Sequence, residues 1–201
     1  LFDRGLEVFL FLKYPQGGWP RGTRFPELIS QIDLYPTLLE ACGLPVPAET
    51  SGRSFLPLLT GTGTFSEREF LFAEKTYHDN YDPMRCVRSA DYKYILNFDA
   101  QTLYDVRVAT APRYTWFRFP FRKEEREELY DLRADPHETR NLARQPEYAG
   151  VRHHLKKILA GWMEETNDPL LDGPVASPYH RRTSAAMKTL AGQQDVAQEN
   201  P

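Results

Sequence analysis

Residues 128–143 read ELYDLRADPHETRNLA, with Asp131, Asp135, His137 and Glu138 crowded together. Carboxylates and an imidazole are the groups from which metal sites and acid–base pairs are built. Metal ligands must converge within about 2–2.6 Å of one point, and neither a helical nor a strand period turns these four the same way. Asp135-Pro136 is a turn signature, because the aspartate bonds the following backbone and proline fixes φ. Glu138 and Arg140 fit as turn or cap groups ahead of Asn141-Leu142. The stretch reads as scaffold.

A second constellation is TYHDNYDPMR, residues 76–85. His78 and Arg85 sit where a proline-containing loop feeds a strand, and loops held by a sheet concentrate binding residues. An arginine fork matches planar or tetrahedral oxyanions, so His78 and Arg85 are the candidate ligand-binding pair. The competing reading is a solvated loop with Arg85 in a surface pair. Cys86, between Arg85 and Arg88, lacks a general base nearby in sequence and reads as a packed strand thiol. In PRYTWFRFPFRKEEREE, residues 112–128, Arg113, Tyr114, Trp116, Arg118, Phe119, Phe121, Arg122 and Lys123 interleave cations with rings. That pattern suits single-stranded nucleic acid or a sulfated sugar; it equally suits a loop that anchors its rings on a core with cations outward. No glycine-rich phosphate loop, H-E-x-x-H or G-x-S-x-G is present.

Several elements must hold these residues in place. Val8-Phe9-Leu10-Phe11-Leu12 is a continuous apolar run bounded by a Pro-Gly turn, which predicts a fully buried strand. After a Gly/Pro-rich loop, Asp33 is a natural N-cap and Pro36 lies in the first turn. Leu34, Thr37, Leu38 and Cys42 recur at helical spacing, and Gly43 and Pro45 end the helix. Residues 1–62 thus read as the tail of an α/β arrangement. From 63 to 172 the pattern changes to a small α+β domain with an antiparallel sheet of about four strands. The strands are EFLFAEK, MRCVRS, YKYILNF and ELYDL. A covering helix over 148–168 carries Val151, Leu155, Ile158, Leu159, Trp162 and Met163 on one face. Residues 173–201 are polar without a period, which predicts a disordered tail.

The composition is that of a core-forming chain: 201 residues, 41% hydrophobic and 26% charged. A formal charge of −3 gives no reason to expect nucleic acid or an anionic membrane as partner. Two cysteines exclude a disulfide-stapled mini-domain and a cysteine-only zinc site.

Five stretches in order, YPQGG, QIDLYPTLLEACGLPVP, GRSFLPLLTG, RCVRSADYKYILNF and ELYDLRADPHETRNLA, resemble the C-terminal part of sulfatases. LFDRG, YDPMRCVRS and WMEETNDP are most similar to the heparan N-sulfatase (sulfamidase) branch. One departure is Phe9, where that family often has proline. The resemblance implies an alkaline-phosphatase-like fold and hydrolysis of a sulfuric ester or sulfamate. The family's nucleophile is a formylglycine made from the Cys or Ser of C/S-x-P-x-R, and a Ca²⁺ polarises the sulfate. This chain has no such motif, and the family's metal-binding Asp and Asn would fall upstream of Leu1. The expectation is therefore a fragment, inert alone, without catalytic residue or metal ligand of its own and completed in cis by a preceding domain. Its substrate would be a sulfated sugar or another sulfate ester, with His78 and Arg85 on one wall of the pocket. The alternatives are a piece of a related phosphodiesterase or phosphonate hydrolase, and a carbohydrate-binding module. Secreted, periplasmic and lysosomal locations are typical of the family.

Overall fold

YKYILN, residues 92–97, puts Tyr92, Tyr94 and Leu96 on one face of its strand and Ile95, between Lys93 and Asn97, on the other. The computed structural model, which describes residues 1–77, 81–99 and 126–198, covers both. Among the described residues β1 (Leu71–Tyr77), β2 (Tyr81–Arg88), β3 (Tyr92–Asn97) and β4 (Glu127–Asp131) form an antiparallel sheet in that order. In its centre Cys86 pairs with Ile95, Val87 with Tyr94 and Tyr94 with Leu129. Side chains alternate faces along each strand. Val87, Tyr94 and Leu129 therefore share one face, and Met84, Cys86, Ile95 and Tyr130 the other.

The first face packs against the helix α4, Ala149–Glu165. Its Leu155, Leu159 and Met163 recur at helical spacing and are buried with Val87, Tyr94 and Leu129. Each such burial contributes about 1.5–3 kcal/mol. The Phe72 and Trp162 rings stack at 4.8 Å at the edge of this core. The second face is covered by Leu1, Phe2 and Leu6, around the short helix α1, Asp3–Leu6.

Helices α2 (Leu34–Ala41) and α3 (Leu56–Thr60) lie in the stretch between. Asp33 does precede α2, but its carboxylate does not cap that helix. It accepts from the amides of Ser30 (2.8 Å) and Arg53 (2.7 Å) and from the Arg68 guanidinium, binding three segments together. Burial raises the Asp33 carboxyl, but the bonds from Arg68, Arg53 and Ser30 outweigh it and hold the group below its ordinary value. Gly52 has to be glycine: a Cβ there would lie 2.1 Å from the carbonyl oxygen of Ile32.

Two further expectations fail. Val8–Leu12 is not a strand, and its side chains are exposed, Phe9 by 94% and Phe11 by 87%. A buried strand needs ladder partners on its flanks, and neither β1 nor β4 takes this segment as a neighbour. Residues 173–201 are not a disordered tail throughout, since Pro178–Gln198 form a helix, α5. Ser177 accepts from the His180 amide at 3.0 Å and Pro178 opens the first turn. Ala185, Ala186, Met187, Lys188, Leu190 and Ala191 are then strong helix formers. Propensity supplies here what apolar periodicity did not signal. Among the described residues no helix is long and apolar enough to cross a membrane.

Candidate functional site

The β1–β2 hairpin carries the candidate binding residues, and its construction begins with Arg85. Arg85 lies in the expected strand, now β2, but where the sequence suggests a ligand-facing arginine the structure buries it, 1% exposed. Its Nε and Nη2 donate to the two carboxylate oxygens of Asp168, Nη2 at 2.9 Å. Nη1 donates to the carbonyls of Met84 (2.9 Å) and Lys75 (3.1 Å), and the Thr76 hydroxyl lies 3.2 Å from both Nη1 and Nη2. Direct contact of this guanidinium with a ligand would require breaking the set. Burial raises the Asp168 carboxyl, but the bonds from Arg85 and the Leu170 amide outweigh it and leave the group below its ordinary value.

Asp168 reaches Arg85 because α4 stops where it does. Asn167 takes φ 51, a left-handed turn that asparagine tolerates better than most residues. The Asp168 amide then bonds back to the Met163 carbonyl at 2.8 Å, which turns the carboxylate toward the sheet. A second pair, Lys75–Asp82 at 2.7 Å, ties the hairpin's two strands together. At its outer end the Tyr77 hydroxyl donates to the Val175 carbonyl, and the Val175 amide donates to the Tyr81 hydroxyl at 3.2 Å. The hairpin is therefore anchored at both ends. Residues 78–80, which join its strands and include His78, lie outside the described residues.

The acidic stretch 128–143 is scaffold, with its side chains given to separate tasks. Asp131 accepts from the amides of Arg133 and Ala134, both at 3.0 Å. Asp135 accepts from the amides of Thr139 (2.7 Å) and Arg140 (2.8 Å), and these bonds hold its carboxyl below the ordinary value against the opposing effect of burial. Asn141 bonds the Leu129 amide and the Glu127 carbonyl, fastening the turn to β4. His137 is exposed.

Glu138 does more than the turn chemistry signals. Its carboxylate is buried, 2.5 Å from the Lys93 Nζ, and it accepts from the Asp3 amide at 2.6 Å. Lys93, fully buried near the start of β3, also pairs with the Asp3 carboxylate, which Arg88 approaches from β2 at 3.2 Å. The available signal was Lys93 itself, a cation beside Ile95 in a strand between two others, which must find anions if buried. Beside it Cys86 is packed in the core, its thiol pushed up to about 12 by burial, as an inert strand thiol would be. Cys42 is exposed and unbridged. Arg113 to Lys123 of the basic–aromatic stretch lie outside the described residues.

Comparison with known proteins places this hairpin and sheet. Residues 1–110 match the family described as N-sulphoglucosamine sulphohydrolase, C-terminal. The chain belongs to the sulfatase family. An ulvan-active sulfatase of Formosa agariphila is 31% identical to this sulfatase chain over 184 residues, covering 88% of it and 36% of the relative. Human N-sulphoglucosamine sulphohydrolase is 29% identical over 177 residues, covering 73% of the chain and 34% of the relative. A solved 2-O GAG sulfatase superposes with a TM-score of 0.54 at 28% identity, over 74% of this chain and 28% of that one. The chain spans about a third of the length of the curated relatives it matches. As a sulfatase chain it belongs with the alkaline-phosphatase-like superfamily, and its four-stranded sheet and helices are those of the sulfatase C-terminal domain.

Proposed function

We propose that these residues form part of a hydrolase of sulfated sugars and flank its substrate pocket. In this reading residues 1–62 complete an α/β domain, and residues 63–172 are the smaller domain that leans over the sulfate. The observation that carries it is the match of residues 1–110 to the N-sulphoglucosamine sulphohydrolase C-terminal family. Relatives named for N-sulphoglucosamine and for ulvan support sulfated saccharides as the substrate class.

Calcium and formylglycine are the groups that sulfatase chemistry implies. The described residues do not fit a metal: no three His, Cys, Asp or Glu side chains stand together as ligands. The buried carboxylates of Asp33, Asp168, Asp3 and Glu138 are all held by arginine or lysine. No step is therefore routed through a metal from this chain. Its contribution is shape and recognition. Arg85 and Asp168 hold the β1–β2 hairpin, and His78, in the connection between the strands, contacts the outer groups of the sugar. Arg85 is then a positioning residue that acts through the hairpin.

The reading is tested on the product of the complete reading frame, by measuring sulfate released from N-sulfated and O-sulfated saccharides. Release is expected from at least one of them, and no release from an aryl sulfate by the 201-residue chain alone. Turnover of a phosphonate monoester without sulfate release would place the protein with the phosphonate hydrolases instead. Saccharide binding without any turnover would make it a binding module.

A further inference from the structure

Asp3, Arg88, Lys93 and Glu138 lie on the sheet face opposite α4, and they come from four separate places in the sequence. Two cations meet two anions, so the group is neutral as a whole. Lys93 and the Glu138 carboxylate have almost no exposed surface. Both ends of the Asp3 residue are used: its amide donates to Glu138 and its carboxylate receives Lys93 and Arg88. Glu138 lies 135 residues from Asp3 and holds φ 54, a conformation that costs an L residue energy. A glycine would adopt that turn freely. What glutamate adds is the carboxylate under Lys93.

We propose that these four residues are an ionic lock with a positional role. The lock fixes residues 1–7 on the sheet and so sets where the exposed apolar segment Val8–Leu12 leaves the molecule. Around Asp3 the backbone is compact, with the Gly5 and Leu6 amides bonded to the Phe2 carbonyl at 2.9 and 3.2 Å, and the Glu7 amide to the Asp3 carbonyl at 2.7 Å. Phe2 adds an edge-on contact with Tyr130 at 5.8 Å. A helix of four residues does not hold itself together in water. Its order has to come from tertiary contacts, and the lock is the polar part of them. The inference rests on the geometry of this chain alone and stands or falls apart from the sulfatase reading.

The test follows amide hydrogen exchange at Gly5, Leu6 and Glu7 in the 201-residue chain, with Val87 and Tyr94 as reference amides in the sheet. Asp3→Asn leaves the Lys93–Glu138 pair in place, so the sheet should fold. Exchange at the three amides is expected to rise tenfold or more while the sheet amides stay unchanged. Tryptic cleavage after the exposed Arg4 should quicken by a similar factor. Glu138→Gly separates the lock from the turn. A residue kept only for its positive φ would be replaced by glycine with equal or better protection of residues 5–7, whereas the lock requires protection to be lost. Unchanged exchange at residues 5–7 in Asp3→Asn would overturn the proposal. So would a loss spread equally over the sheet, because Asp3 would then belong to the core and not to a local anchor.

Discussion

Segment 8–12 and strand β3 reverse the usual assignment of inside and outside. The segment is apolar throughout, yet Phe9 and Phe11 stand in solvent with their rings stacked on each other at 6.1 Å. β3 carries a lysine at its second position, and that lysine has no exposed surface at all. The difference lies in what each finds to contact. An apolar side chain gains only when other atoms take it out of water, and Val8–Leu12 gains no strand partner among the described residues. Lys93 has two carboxylates, and Arg85 has Asp168, three further hydrogen-bond partners and the Glu74 carboxylate at 3.4 Å. Desolvating an ion costs several kcal/mol, and opposite charges at this range are what offset it. Hydropathy proposes a place for a residue, and the partners decide it.

The comparison breaks most easily at Arg85. Replacing Asp168 with alanine leaves a buried guanidinium with only the exposed Glu74 carboxylate, 3.4 Å from Nη2, as an anion, which should cost about 3–5 kcal/mol of stability, read from urea denaturation. A cost below about 1 kcal/mol would mean that the pair behaves like a surface bridge. Lys93→Met comes next, since it removes the cation between the Asp3 and Glu138 carboxylates and leaves Arg88 on Asp3. About 3 kcal/mol should be lost. Most of that loss should return when Asp3→Asn and Glu138→Gln are added, as expected for residues coupled within one network.

Acid should sharpen the same contrast. Both Asp168 and Asp33 titrate below the ordinary 3.8 of an unfolded aspartate. A carboxyl with a depressed folded pKa contributes stability in full above the unfolded value and loses it as pH falls through the folded one. The urea midpoint should therefore drop as the pH falls below about 4, and Asp168→Asn should show a shallower drop than the parent. The smallest effect on stability belongs to the exposed segment. Phe9→Ser with Phe11→Ser should change stability by no more than about 0.5 kcal/mol, while reducing self-association in sedimentation. A large loss of stability there would show that these rings are part of the fold.

How far the sequence could be read depended on the range of the interaction. The four strands, the α4 stripe of Leu155, Leu159 and Met163, and the stop at Gly43 are local patterns, and each appears close to its expected place. Asp135-Pro136 gave its turn away by chemistry within a few residues. Arg85 falls in its expected strand, but its burial was not legible because its partner Asp168 is 83 positions distant and depends on how α4 ends. Glu138 looked like a turn residue for the same reason, its partners lying in β3 and at Asp3. Val8–Leu12 has the composition of a buried strand, but a strand is defined by neighbours that composition does not specify.

His78 tests the functional account most directly. The measurement compares His78→Ala with the parent, both as the product of the complete reading frame, on a sulfated saccharide and on a small aryl sulfate. One charge-assisted hydrogen bond to the sugar is worth about 1.5–3 kcal/mol, so KM for the saccharide should rise roughly ten- to a hundredfold. Both constants for the aryl sulfate, which lacks the outer groups, should stay close to the parent's. Equal losses on the two substrates, or no loss on either, would contradict the claim that the β1–β2 hairpin reads the sugar.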